Sequence, residues 1–168
     1  SRRGVMAGVT AGAIATLVAP PVRAQKTSVD VLLVLAVDVS RSIDEEEARL
    51  QRQGYVTAMA DPRVVAAIRS GTLGAIAVAY VEWGSADYQR LVIPWTRIDG
   101  EASARDWVAA LEAAPRVSNN WTSISGAIEF SMRTLDEAPF EGTRRVIDIS
   151  GDGVNNSGAP VTLLRDLA

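Results

Sequence analysis

From Val29 to Val37 the chain is apolar except for Asp30, and the run ends on Asp38-Val39-Ser40-Arg41-Ser42. A Val- and Leu-rich stretch of this length, without apolar/polar alternation, fits a strand covered on both faces, the condition of a central strand in a parallel sheet flanked by helices. Such sheets bind ligands beyond the carboxyl ends of their strands. The run therefore delivers Asp38, Ser40 and Ser42 to a rim where alternate residues of a short loop can converge. One carboxylate and two hydroxyls suit a hard cation such as Mg²⁺. The same stretch also reads as a helix start. Ser42 with Glu45 forms a capping box, and Asp44, Glu45, Glu46 and Glu47 suit the positive end of a helix dipole. Capping leaves Asp38 and Ser40 unexplained, and at this point both readings stand.

What the chain lacks narrows the chemistry. It contains no His and no Cys, which removes Ser-His-Asp and Cys-His catalysis, His general-base chemistry and the usual zinc sites. The only Lys is Lys26, so a Gly-Lys-Ser phosphate loop and a Schiff-base lysine are excluded as well. Carboxylates and hydroxyls remain. The 168 residues are 48% hydrophobic and 22% charged, the composition of one globular domain. The formal net charge of −3 gives no nucleic-acid footprint.

Residues 1–24 stand apart from the fold. Arg2-Arg3, a mildly apolar Ala/Gly-rich run and Val22-Arg23-Ala24 before Gln25 form the three parts of an export signal, twin-arginine in style. The apolar run is too short and too rich in Gly to span a membrane well. Cleavage would start the mature segment at Gln25. It would remove Arg2, Arg3 and Arg23, leaving 14 basic against 20 acidic side chains, a formal −6. The expectation is a periplasmic or secreted protein with no stable membrane span, whose domain occupies residues 25–168. The chain reads as a fragment, incomplete at its C-terminus.

Beyond the first loop, a helix is expected from Ile43 to about Met59 with Ile43, Leu50, Gly54 and Ala58 on its packed face, broken by Asp61-Pro62. A short helix from Arg63 to Arg69 ends at Ser70-Gly71. Leu73 to Trp83 and Tyr88 to Pro94 read as a hairpin, with Pro94 favouring an edge position. A helix after Asp99-Gly100 presents Ala104, Trp107, Val108 and Leu111, and one before Pro139 presents Ile124, Ala127, Ile128, Ser131 and Leu135. Arg144 to Ser150 is a strand, Gly151-Asp152-Gly153 a tight turn, and Pro160 to Ala168 begins a helix. The order predicts an α/β fold: a Rossmann-like open sheet, mostly parallel with one antiparallel edge strand, and helices on both faces. Right-handed crossovers put the strands ending at Asp38 and Ser150 on one rim. Asp152 and the loop carrying Thr122 open onto that rim too.

Asp38-Val39-Ser40-Arg41-Ser42 after the first strand, Thr122 before a helix, and Asp152 in Ser150-Gly151-Asp152-Gly153 together resemble the metal-ion-dependent adhesion site of von Willebrand factor type A domains. All three segments occur in order over about residues 29–168. Within that superfamily the chain is similar to an exported bacterial family of uncharacterised function. The resemblance implies that the Ser40 and Ser42 hydroxyls bind the metal directly. Asp38, Thr122 and Asp152 bind it directly or through water, and one position is left for an Asp or Glu of a protein partner. The implied ion is Mg²⁺, or Mn²⁺ or Ca²⁺. The chain departs from the pattern at Asn120-Trp121, where many relatives have glycines. It also stops before the last strands of the family's sheet.

Trp121 reads either as an aromatic contact for a partner or as a ring packed under its loop. Asn119, Asn120, Asn155 and Asn156 read either as rim residues facing a partner or as donors and acceptors for local turns. A rival class is a Mg²⁺-dependent phosphohydrolase. Gly151-Asp152-Gly153-Val154-Asn155-Asn156 resembles the acidic turn of haloacid-dehalogenase-type enzymes, in which Asp38 would be the nucleophile. Such an enzyme needs an acid two residues after Asp38. This chain has Ser40 there, which does not usefully protonate a leaving group at neutral pH.

Overall fold

The structure, a computed structural model, describes residues 25–41 and 43–168. The export signal expected at residues 1–24 and the ligand expected at Ser42 lie outside the described residues. Nine elements follow one another: β1 (Thr27–Asp38), α1 (Glu45–Ala60), α2 (Pro62–Arg69), β2 (Ile76–Trp83), β3 (Gln89–Ile98), α3 (Glu101–Ala113), α4 (Ile124–Asp136), β4 (Phe140–Ser150) and α5 (Val161–Arg165).

The sheet runs β3-β2-β1-β4. β1 pairs in parallel with β2 and with β4, and the β2–β3 hairpin is antiparallel. Successive side chains of a strand point to opposite faces, and β1 is buried on both. Val34 and Ala36 face the core built with Ala127 and Leu135 of α4. Leu35 and Val37 face the core built with Val56 and Met59 of α1, Val65 of α2, and Trp107 and Leu111 of α3. The continuous apolar run thus signals a central strand for the reason its composition suggests. Tyr80 of β2 joins the second core, edge-on to Tyr55 at 5.6 Å and to Trp107 at 6.2 Å between ring centroids.

The packed faces of α3 and α4 are those the apolar spacing predicts. That of α1 is not. Leu50, Gly54 and Ala58 are exposed, and the helix packs through Val56 and Met59 with Gln51, Arg52 and Tyr55 half-buried beside them. The capping box also moves. Asp44 is the N-cap, accepting from the Glu47 N–H at 2.8 Å while Glu47 accepts from the Asp44 N–H at 3.0 Å; Ser42, expected from sequence as the cap, lies outside the described residues. Three strand limits differ from expectation. β2 begins at Ile76 rather than Leu73, β3 continues through Pro94 to Ile98, and β4 begins at Phe140 rather than Arg144. Among the described residues no helix is long and apolar enough to cross a membrane.

Candidate metal centre

Asp38 is the last residue of β1, and its register partner on β2 is Trp83. Asp38 is fully buried, Ser40 is 2% exposed and Thr122 is 4% exposed. The Ser40 N–H donates to Asp38 Oδ1 at 2.7 Å. The other carboxylate oxygen, Oδ2, is buried with no hydrogen-bond partner among the described residues. A buried, unpaired carboxylate oxygen is costly. Burial pushes the Asp38 carboxyl above its ordinary range, the Ser40 N–H and hydroxyl pull it back, and the charge of Asp152 pushes it up again.

Three further loops reach this point. Asn119 pairs with Ser40 in a parallel bridge, and its N–H donates to the Val39 carbonyl at 2.8 Å. Its side-chain oxygen accepts from the N–H groups of Ser85 at 3.1 Å and Asn120 at 2.9 Å. Ser123, the N-cap of α4, donates its N–H to the Gly84 carbonyl at 2.7 Å and accepts from the Gly126 N–H at 3.2 Å. This strapping sets Thr122 inside the rim. On the opposite side the Gly151-Asp152-Gly153 turn comes in close. A Cβ at Gly151 would lie 2.9 Å from Asp38 Oδ2 and 3.1 Å from the Trp83 ring; one at Gly153 would lie 3.1 Å from Thr122 Oγ1. A side chain at Gly151 would crowd Asp38 Oδ2 and force a shift, and one at Gly153 would be a tight fit against Thr122.

Of the expected ligands, the structure brings Asp38, Ser40 and Thr122 together with the turn that carries Asp152. These donors are all oxygens, two carboxylates and two hydroxyls. Among the described residues no three His, Cys, Asp or Glu side chains gather that could hold a metal ion. The set fits a hard divalent cation and would supply Asp38 Oδ2 with its missing partner. Trp121 is 58% exposed at the edge of the site, as is Val154 at 79%. Asn120 is exposed. Asn155 uses its side chain within the fold: Oδ1 accepts from the Ser125 N–H at 3.2 Å and Nδ2 donates to the Ala159 carbonyl at 3.1 Å.

Sequence reasoning missed the floor. Trp83 lies fully buried under the Asp38–Gly151 contact, and only strand pairing could have found it. Beside Ser40 opens a cavity of about 340 Å³ walled by Gln51, Arg52, Tyr80, Glu82 and Arg116. Buried Glu82 accepts there from Arg52 at 2.6 Å and from Arg90 at 3.1 Å.

Residues 28–168 match the model of a family described as "Protein of unknown function (DUF1194)". No curated protein matches the chain. Solved structures match it in fold. Proximal thread matrix protein 1 from the mussel byssus is 15% identical with a TM-score of 0.63, over 86% of this chain and 36% of that one. A second structure of that protein is described as having a zinc-occupied MIDAS motif, at 16% identity and a TM-score of 0.56, over 86% and 36% of the two chains. A von Willebrand factor type A protein from Catenulispora acidiphila is 22% identical with a TM-score of 0.52, over 82% and 30% of the two chains. The pilus adhesin SpaC from Lactobacillus rhamnosus GG is 19% identical with a TM-score of 0.54, over 77% and 16%. The fold is that of a von Willebrand factor A domain, and the chain spans about a third or less of the length of these proteins.

Proposed function

This chain belongs to the family described as "Protein of unknown function (DUF1194)", and we propose that it is an exported, divalent-cation-dependent protein-binding module of adhesion or assembly. Asp38, Ser40, Ser42, Thr122 and Asp152 hold the ion, with Mg²⁺ favoured over Mn²⁺ or Ca²⁺. The observation that carries the reading is the buried, unpartnered Oδ2 of Asp38 beside Ser40 and Thr122 at the end of the central strand. When bound, the cation would supply a positive centre whose direct ligands on this chain are chiefly hydroxyls, with the carboxylates reaching it in part through water, so that an Asp or Glu of the partner completes it. Asp38 and Ser40 anchor the ion on the β1 side, and Thr122 and Asp152 close it from the other two loops. Trp121 and Asn120, both exposed, form the partner-facing edge with Trp121 as the aromatic anchor, while the Asn155 side chain is taken up by Ser125 and Ala159.

Ser40 occupies the place where a phosphohydrolase of the rival class keeps its acid, and a Ser hydroxyl does not usefully protonate a leaving group at neutral pH. The test is a pair of measurements on purified protein. Mn²⁺ titration by calorimetry is expected to show one site that Asp38→Ala removes, and acetate is expected to bind only to the metal-loaded wild type. Asp38-dependent hydrolysis of a generic phosphate ester would overturn the binding-module reading, and acetate binding unchanged by chelator would remove the metal from it. Export is checked separately by sequencing the mature amino terminus, expected at Gln25. An intact terminus on a cytoplasmic protein would refute it.

A further inference from the structure

We propose that Asn156 is a positioning residue for the metal centre, setting the separation between the Thr122 and Asp152 loops. The proposal rests on the metal reading above and assigns a role to a residue outside the ligand set. Three hydrogen bonds join Thr122 to the loop that follows Asp152. The Thr122 N–H donates to Asn156 Oδ1 at 3.0 Å. The Thr122 carbonyl accepts from the N–H groups of Asn156 at 3.0 Å and Ser157 at 3.2 Å. The last two are backbone bonds, which most side chains at 156 would allow. Only the first is written in a side chain.

Thr122 is buried and Asn156 lies at the surface, so losing the acceptor would leave the Thr122 N–H to be satisfied by water or by a shift of its loop. An orphaned buried donor costs enough to move a loop until it is satisfied. Moving Thr122 moves Oγ1, which sits against Gly153 beside Asp152. Residues that orient metal ligands act strongly on affinity, so the strap acts on metal affinity more than on folding.

The neighbouring side chains show that this strap is distinct. Asn155 ties the same loop to the Ser125 N–H of α4, and the Ser157 hydroxyl accepts from the Ala86 N–H at 3.2 Å. Each holds the loop to a different element. Asn156 alone among these three side chains reaches a ligand residue. An Asp at 156 would keep the acceptor, whereas Ala or Ser would not span the distance.

The experiment compares wild type, Asn156→Ala, Asn156→Asp and Ser157→Ala by two readouts: the Mn²⁺ dissociation constant, and amide exchange of the Thr122 N–H in metal-free protein. Loss of the strap is expected to raise the constant by about ten- to a hundredfold in Asn156→Ala, the usual range for residues that orient metal ligands. Thr122 exchange should speed up in the same variant. Asn156→Asp should restore both. Ser157→Ala should lower the melting temperature while keeping the constant within about twofold of wild type, since the side chain it removes bonds only to the Ala86 N–H and the backbone bond to Thr122 is kept. If Asn156→Ala does not fold, Asn156→Ser is measured in its place with the same expectation. A wild-type constant in the Ala or Ser variant, or equal weakening by Ser157→Ala, overturns the positioning role alone. A wild-type protein that binds no Mn²⁺ overturns the metal reading and this role with it.

Discussion

Asp38 sits where its own charge is unwelcome, and that is the residue-scale signature of the site. Its carboxyl is pushed up first by burial and then, more weakly, by Asp152. A group whose folded value is raised favours the folded state fully only below its unfolded value, near 3.8, and loses that contribution as pH rises through the folded value. In chelator, wild type and Asp38→Asn are therefore expected to melt together at acidic pH. At neutral pH the variant should melt higher, because Asn keeps the acceptor for the Ser40 N–H without the charge. With Mg²⁺ at ten times its dissociation constant the wild type should gain about 1.4 kcal/mol, a few degrees, and the variant almost none. Calorimetric melts over a pH series check this, and a Mg²⁺ response that survives in Asp38→Asn would count against the site. That Asp38 and Ser40 follow a central strand and that Thr122 precedes a helix was legible from sequence, because residue type and position beside an element are local signals. Asn119 and Asn156 were visible only as polar loop residues. Their side chains satisfy N–H groups 34 residues away in the chain, and no local pattern records such a pairing.

Element by element, apolar periodicity succeeded where burial is apolar and failed where it is polar. Ile124, Ala127, Ile128, Ser131 and Leu135 mark the packed face of α4 without ambiguity. The inner side of α1 carries Gln51, Arg52 and Tyr55, which are held by Ser150 and Glu82; the outward-facing Leu50 therefore misdirected the reading. β3 runs past Pro94 because the hairpin register slips there. Val78 pairs with Thr96 but Tyr80 with Ile93, which leaves Pro94 in an edge-strand bulge where a missing N–H costs little. The α2 start gives an element-scale prediction. Asp61 accepts from the Arg63 N–H at 2.8 Å and pairs with its guanidinium at 2.6 Å, and these bonds lower its carboxyl to about 2. A lowered value contributes stability above the unfolded value, near 3.8, which is lost as pH falls through about 2. Asp61→Asn should reduce the melting temperature at pH 6 by a degree or two, since Asn still caps. The difference from wild type should vanish by about pH 2. A gap that persists at that pH would show that the carboxylate's charge is not what holds the turn.

Across the whole molecule, Glu82 is a polar contact that joins three elements. It lies buried on β2 and takes Arg52 from α1 and Arg90 from β3. The same two guanidinium groups donate onward to the carbonyls of Ala114 at 2.6 Å and Pro115 at 3.1 Å. The exit from α3 is thereby fixed, and with it the segment that leads to Asn119 and Thr122. Removing one partner of a buried ion pair leaves the other charge uncompensated and typically costs about 3–5 kcal/mol, whereas removing both charges together is often close to neutral. The Arg52 side chain is only 12% exposed, so it belongs to the first case. Glu82→Gln is expected to lower the melting temperature by about 10 °C for a domain of this size. Glu82→Gln with Arg52→Met should recover more than half of that loss, because the stranded guanidinium is gone and its stem volume is kept. Arg90, more open to water, needs no compensating change. Thermal melts of the two single variants and the double form a mutant cycle. A coupling close to zero would mean that Arg52 is satisfied by the Ala114 carbonyl alone, and that the path from α1 to the Thr122 loop does not run through Glu82.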